Sequence, residues 1–403
     1  MRVEILPSRA KGEAAAPPSK SMAHRALIAA SLAEGQSIIS GISASQDMLA
    51  TMDCLTAMGA VFTREGDVVQ VQGFGKHPNH TGILNCIESG STLRFLIPLC
   101  LLTGKTYVLK GASRLMERPL TVYEKLCEEK GFLFEKSGTT LKVGGSLTPG
   151  EYTVPGDISS QFITGLLFAL SLPEGDSFLR VTGAWESASY IDMTLAVMKD
   201  FGVEIRREPD GFFIAGGQKY TPREYLVEGD WSNAAFLEAL GLFEGGVKLC
   251  RVNADSLQGD RVCTEYFKAL AGSAPTLDLS DCPDLAPILF AVAAYYNGAR
   301  FTGTRRLAIK ESDRGAAMAA ELAKCGVDLI LGENEITVPK ANLHAPKEAI
   351  FGHNDHRIVM AMSVLLSRLG GVIEGAEAVA KSYPNFFEVI KHLGIEVKTY
   401  ETE

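Results

Sequence analysis

Several things are missing from this 403-residue chain, and each absence excludes a class. No apolar run approaches the roughly 18 residues of a membrane span; the longest, such as 162–172, stop well short. The opening MRVEILPSRAKGE carries no apolar signal core and no Arg/Ser-rich transit character, so a cytoplasmic location is expected. Basic blocks are absent, and 39 Lys+Arg against 48 Asp+Glu leave a net charge of −9, which argues against nucleic acid as a partner. The eight cysteines at 54, 86, 100, 127, 250, 263, 282 and 325 include no Cys-x-x-Cys; reduced, buried thiols are expected rather than a disulfide framework. No GxGxxG follows a strand, and neither a phosphate-cradling GxxxxGK[ST] nor a Gly-x-Ser-x-Gly elbow occurs. His77-x-x-His80 and His353-x-x-His356 have metal-pair spacing but no Cys partner and no HExxH context, so no metal is expected.

What the chain has is a long-period repeat. Six segments run from an amphipathic helix through a Gly stop into alternating apolar strands, with the stops at Gly59, Gly131, Gly202, Gly272, Gly326 and Gly394. Their spacings are 72, 71, 70, 54 and 68 residues. Glycine there fits a left-handed helix cap. A second series, from SKSMAHRALIAASLAEG to NDHRIVMAMSVLLSRLGG, runs from a polar start through an apolar helix to Gly35, Gly104, Gly175, Gly245, Gly298 and Gly370, spaced 69, 71, 70, 53 and 72. Both series shorten after the fourth unit, so they are one pattern: six copies of a unit of about 70 residues, the fourth trimmed. Helices apolar nearly all round are buried ones. Three copies each make two α/β domains of ordinary size, with joints expected in AAAPPSK (14–20) and YTPREYLVEGD (220–230).

The openings of the buried helices carry the chemistry. Ser19, Lys20, Ser21 and Arg25 start the first, Ser89, Gly90, Ser91 and Arg94 the second, and Ser159, Ser160 and Gln161 the third; Asp284 starts the fifth, and Asp355, His356 and Arg357 the sixth. Ser and Asp are ordinary N-caps. Lys and Arg are not: a cation at a helix N-terminus opposes the macrodipole unless an anion lies between them. Arg114 and Arg118 in SRLMERPL, Lys310 and Arg314 in IKESDR, and Lys381 in AKSYPN add further positive charge, with Asp284, Glu311 and Asp313 interspersed. Such mixing suits proton transfer on a bound anion.

The segments PPSKSMAHR, ESGSTLRFL, SRLMERPL, GDISSQF, CPDLAP, IKESDR, NDHR and AKSYPNFF, in this order, resemble the 5-enolpyruvylshikimate-3-phosphate synthases over nearly the whole chain. The resemblance implies an inside-out α/β barrel fold: two similar domains, each three copies of a βαβαββ unit with buried parallel helices. Residues 1–18 with 228–403 would form one domain, on the phosphoenolpyruvate side. Residues 19–227 would form the other, on the shikimate 3-phosphate side, with the active site in a cleft between them that closes on the substrates. It implies enolpyruvyl transfer from phosphoenolpyruvate to shikimate 3-phosphate without metal or organic cofactor, by a monomer. By motif, Lys20, Gly90, Arg118, Gln161, Arg314, Arg357 and Lys381 would hold phosphoenolpyruvate. Lys20, Ser21, Arg25, Ser159, Ser160, Gln161, Ser187, Asp284 and Lys310 would bind shikimate 3-phosphate. Asp284 would face the attacking hydroxyl, and Glu311, Lys20 and Lys381 complete the catalytic set, Glu311 with Lys381 delivering a proton.

Glu88 and Arg306 stand where that family usually has Asn. Glu88 is expected to pair with a neighbouring cation, and Arg306 to touch the shikimate phosphate or face solvent. Two rivals share the scaffold. A transferase acting on UDP-N-acetylglucosamine is disfavoured because SRLMERPL lacks a reactive Cys. A non-catalytic anion-binding protein is disfavoured because Asp284 and Glu311 accompany the cations.

Overall fold

The computed structural model describes residues 1–243 and 245–400. The chain forms two compact units, Met1–Pro17 with Gly229–Glu403, and Pro18–Glu228. The boundaries therefore fall one residue from the expected 18/19 and 227/228. Each unit has its own apolar core.

In Pro18–Glu228 one sheet plan is drawn three times. A strand pairs in parallel with a central strand, which pairs antiparallel with a third, which pairs antiparallel with an edge strand. In the second copy these are Ile83–Asn85, Thr106–Lys110, Thr140–Gly144 and Leu133–Ser137. The third copy uses Glu151–Pro155, Ser177–Thr182, Gly211–Ile214 and Arg206–Glu208. The first borrows its parallel strand, Glu224–Leu226, from the far end of the unit to lie beside Gln36–Ser40. Alternating apolar residues such as Val69 and Val71 face the core while their neighbours are exposed, the period-2 pattern of a one-sided sheet.

The other unit holds two more four-stranded sheets of the same plan. In one of them Arg2–Ile5 sits between Gly371–Glu374 and Val397–Tyr400. The fourth copy is reduced to two parallel strands, Lys11–Ala15 and Gly246–Cys250, the counterpart of the short spacings. Glycines 59, 131, 202, 326 and 394 have positive φ, as do 35, 104, 175, 298 and 370. The exception to the expected left-handed stop is Gly272, in the fourth copy, where Gly245 of the second series also lacks positive φ. Gly272 is the last residue of the Cys263–Gly272 helix, and Gly245 passes straight into the Gly246–Cys250 strand. With the strand–turn–strand excursion removed, no reversal calls for positive φ.

The six helices of the second series, Lys20–Ser31, Gly90–Cys100, Ser160–Leu170, Trp231–Leu242, Ala286–Tyr295 and His356–Leu369, are buried along most of their length. Ser19, Ser89, Ser159, Asp230 and Asp355 cap five of them through side-chain acceptors. Asp284 does not cap the remaining one; it lies in a 3-10 turn, Pro283–Leu285, that feeds the helix.

One local defect fixes how two of these helices meet. Pro98 lies inside the Gly90–Cys100 helix. It has no N–H to give to the carbonyl four residues back, that of Arg94. The Tyr123 hydroxyl takes that place, donating to Arg94 O at 2.8 Å and reaching Phe162 O at 3.2 Å. Gly165 completes the junction: a Cβ there would stand 2.6 Å from the Tyr123 hydroxyl and 2.7 Å from Arg94 O, so only glycine lets the Ser160–Leu170 helix come this close. Replacing Tyr123 with Phe leaves a buried carbonyl without a donor, and urea denaturation of Y123F should show a loss of about 1–3 kcal/mol.

Candidate active site

In the Pro18–Glu228 unit the cations at helix starts are met by specific partners. Lys20 is the first residue of its helix, the unfavourable end for a cation, and its Nζ lies 2.9 Å from Asp47 Oδ2. Asp47 comes from the first turn of Gln46–Ala57, where an acid is favourable. Beneath this pair runs a buried hydroxyl chain. His24 Nδ1 meets Thr51 Oγ1 at 2.8 Å, Thr51 meets Thr92 at 2.6 Å, and Thr92 donates to Ser89 Oγ at 2.7 Å. Burial, with Lys20 and Arg25 nearby, holds the imidazole well below its usual pKa, so it stays neutral.

Gly90 leads the next helix, and the Arg118 guanidinium lies against it: a Cβ on Gly90 would stand 2.7 Å from Arg118 Nη1. Arg94 donates to Gln161 Oε1 at 2.7 Å and to Pro119 O at 3.1 Å, and Gln161 Nε2 donates to Ser91 Oγ at 3.0 Å. Gln161 is thereby held with a fixed amide orientation. Arg25 is buried and donates to Thr194 Oγ1, Ser21 O and Tyr190 O at 2.8–2.9 Å. Burial pushes its pKa down to about 10. Three of its five N–H groups are thus committed to the protein. Ser187 precedes the Ala188–Asp200 helix in a left-handed conformation, φ 57°. Ser160 is buried, and Ser21 and Ser159 are partly so.

The Met1–Pro17/Gly229–Glu403 unit holds the denser cluster. Arg314, at 1% side-chain exposure, spends each nitrogen on a different carboxylate. Nε donates to Asp355 Oδ2 at 2.9 Å, Nη1 to Asp284 Oδ1 at 2.7 Å and Nη2 to Glu311 Oε2 at 2.7 Å. Asp284 also accepts from Lys310 Nζ and from Arg357 Nη2, both at 3.2 Å. Burial alone would raise the Asp284 carboxyl, but Arg357, Lys310 and Arg314 outweigh it and hold it well below the usual carboxylate range. Burial likewise opposes the charge on Asp355, and Arg314 more than restores it. Lys310 is pulled below its usual range by burial, with Asp284 only partly offsetting this. Asp355 caps the His356–Leu369 helix, accepting from Arg357 N at 2.9 Å and from Ser312 Oγ at 3.0 Å. Lys381 donates to the carbonyl of Asn354.

The residues expected from sequence divide between the two units. Direct bonds connect Asp284, Lys310, Glu311, Arg314 and Arg357, and Lys381 joins them through Asn354. Arg306 does not face solvent; it is buried and donates to Ser280 O. Glu88 is half-buried, just after left-handed Ile87, φ 53°. The carboxylates that position the cations escaped the sequence reading: Asp47 altogether, and Asp355 as more than a cap. Acids in first helical turns look ordinary, so nothing flagged them. Among the described residues no three His, Cys, Asp or Glu side chains converge as a metal cage.

A family model described as EPSP synthase (3-phosphoshikimate 1-carboxyvinyltransferase) matches residues 6–390. The chain is 38% identical to the 3-phosphoshikimate 1-carboxyvinyltransferases of Clostridium acetobutylicum and Clostridium kluyveri, in each case across 98% of both chains. Its fold is similar to that of the EPSP synthase from Acinetobacter baumannii, with a TM-score of 0.80 and 25% identity over 99% of this chain and 100% of that one.

Asp260 yields a prediction of its own. It is buried, and its Oδ1 has no hydrogen-bond partner among the described residues. Burial first, then the charge of Asp284, push its carboxyl from an ordinary 3.8 up to about 7. Across that window the folded chain keeps a proton that the unfolded chain releases, so stability falls as pH rises from about 4 to about 7 and then levels off. At 1.36 kcal/mol per pH unit the loss reaches up to roughly 4 kcal/mol. Urea unfolding of D260N and the parent chain from pH 4 to 8 should show the variant gaining relative stability across that window.

Proposed function

The chain belongs to the EPSP synthase (3-phosphoshikimate 1-carboxyvinyltransferase) family, and from that premise we propose how its residues divide the work. The reaction moves the enolpyruvyl group of phosphoenolpyruvate to shikimate 3-phosphate, in the shikimate route to aromatic amino acids. In our reading Arg314, Arg357 and Lys381, with Lys20, Arg118, Gln161 and the Gly90 backbone, hold the phosphate and carboxylate of phosphoenolpyruvate. Ser21, Arg25, Ser159, Ser160, Gln161, Ser187 and Lys310, with Lys20 and Asp284, hold shikimate 3-phosphate. One turnover draws on both units. We also assign the chain to the cytoplasm, as a monomer needing neither metal nor organic cofactor.

The observation that carries the chemistry is Asp284 pinned between Lys310, Arg314 and Arg357. Held so far below its usual range, it is a poor proton acceptor. An arriving anion competes for the same cations. As they turn part of their field to the ligand, the Asp284 carboxylate becomes more basic next to the 5-hydroxyl. It then takes the hydroxyl proton while the oxygen bonds to C2 of the enol, and a proton from the Lys381 ammonium passes by way of the Glu311 carboxylate to C3. In the second step the C2–O bond to phosphate breaks, C3 gives back a proton, and the double bond is restored as phosphate leaves. Cations already in place for the charge that develops lower both barriers without reorganising.

Phosphate release is the direct test. Phosphoenolpyruvate with shikimate 3-phosphate should release phosphate, and with UDP-N-acetylglucosamine it should not; the opposite result favours the cell-wall transferase, and release with neither acceptor favours a binding protein. D284N should lower kcat by about 10²–10⁴-fold, the usual scale for loss of a general base, and raise the KM for shikimate 3-phosphate, which Asp284 also holds. G90A tests the other unit: the added methyl forces the Arg118 guanidinium aside. The KM for phosphoenolpyruvate should rise about tenfold or more, the scale of one charge-assisted hydrogen bond, with little change in melting temperature.

A further inference from the structure

Two turns along the helix from Arg314, Glu321 is 2% exposed. A carboxylate buried that deeply must have its lone pairs filled. Lys324 Nζ donates to Oε2 at 2.7 Å, the backbone N–H of Phe351 donates to the same oxygen at 2.9 Å, and His353 Nε2 meets Oε1 at 2.7 Å. Carboxylate oxygens only accept, so the hydrogen is on Nε2. Lys324 also donates to Ala349 O at 3.0 Å. Apart from the Lys324–Glu321 pair, which stays within one helix, these bonds tie the helix of Arg314 to the strand and loop at 349–353.

That loop is in an unfavourable shape. His353 and Asn354 have φ of 50° and 51°, consecutive left-handed residues that are not glycine. Such residues persist only where their surroundings over-determine them. The surroundings do so from two sides. Glu321 holds Phe351 and His353. Opposite, Gly352 N donates to Glu374 O at 2.8 Å, in a gap where a Cβ would come within 2.7 Å of Val359 and 2.8 Å of Gly375 O. The reversal presents the Asn354 carbonyl to Lys381 and delivers Asp355 to Arg314, Ser312 and the N–H of Arg357.

We propose that the Glu321–His353 tether is a positioning device for the phosphoenolpyruvate groups: it holds the left-handed pair in place, and through it Lys381 and Arg357. Neither Glu321 nor His353 is among the residues assigned to a substrate. The proposal rests on the assignment of Lys381 and Arg357 to phosphoenolpyruvate, and its test separates the two ideas.

The His353 side chain is 28% exposed, so replacing it opens no core cavity. H353G removes the tether while easing the backbone. Its KM for phosphoenolpyruvate should rise about tenfold, the scale of one charge-assisted hydrogen bond, with the KM for shikimate 3-phosphate within about twofold and some loss of melting temperature, because Glu321 stays buried with one partner fewer. H353Q, whose amide can donate to Glu321, should recover most of the affinity. The proposal is overturned if H353G leaves the phosphoenolpyruvate KM within about twofold of the parent. It is also overturned if both KM values rise together, as a purely structural role requires, or if H353Q is as impaired as H353G. K381M runs alongside: if it leaves the phosphoenolpyruvate KM unaltered, the underlying assignment falls with the tether. If K381M raises that KM and H353G does not, only the tether falls.

Discussion

A guanidinium sealed from water needs its charge answered, and the second unit is organised around that need. Arg314 sits among Asp284, Glu311 and Asp355, one carboxylate per nitrogen. Removing one partner from such a group is far worse than never having built it, because the survivor keeps its desolvation cost and loses its compensation. The three acids are therefore fixed in place, and each carries a second duty: Asp355 caps a helix, Asp284 gathers Lys310 and Arg357, and Glu311 belongs to the loop that brings Lys310. Packing and reactivity share the same bonds.

The first unit meets the same difficulty more sparingly. There the unfavourable cation is Lys20, answered by Asp47, and the guanidinium of Arg94 is absorbed by a side-chain amide and a carbonyl. The repeated sheet-and-helix unit thus supplies equivalent helix starts throughout, while what stands at each start differs. Hydroxyl and amide groups prevail in one unit, and cation–carboxylate clusters in the other.

The repeat was legible because its signals are local. Glycine after a helix and an apolar helix flanked by polar starts need no knowledge of distant partners, and the short interval around the fourth copy announced its two-stranded sheet. The cations were legible because Lys20 and Arg357 stand at the wrong end of a helix. Their partners were not. Asp47 is 27 residues from Lys20 and Glu321 is 32 from His353, and an acid within a helix is unremarkable taken alone. Arg25 shows the reverse limit: its sequence position suggested a ligand contact, and much of its hydrogen-bonding capacity turns out to serve the helix packed beside it.

The strand Arg2–Ile5, held between Gly371–Glu374 and Val397–Tyr400, sets an order on synthesis. Residues 18–228 form one uninterrupted stretch and can fold while the ribosome is still reading the rest. The other unit cannot complete that sheet until Arg2–Ile5 and Val397–Tyr400 are both available, a closure between strands nearly 400 residues apart. Its assembly carries the larger loop entropy and the slower step, and until then the Arg2–Ile5 edge waits without either neighbour, the condition in which a nascent chain has most need of a chaperone.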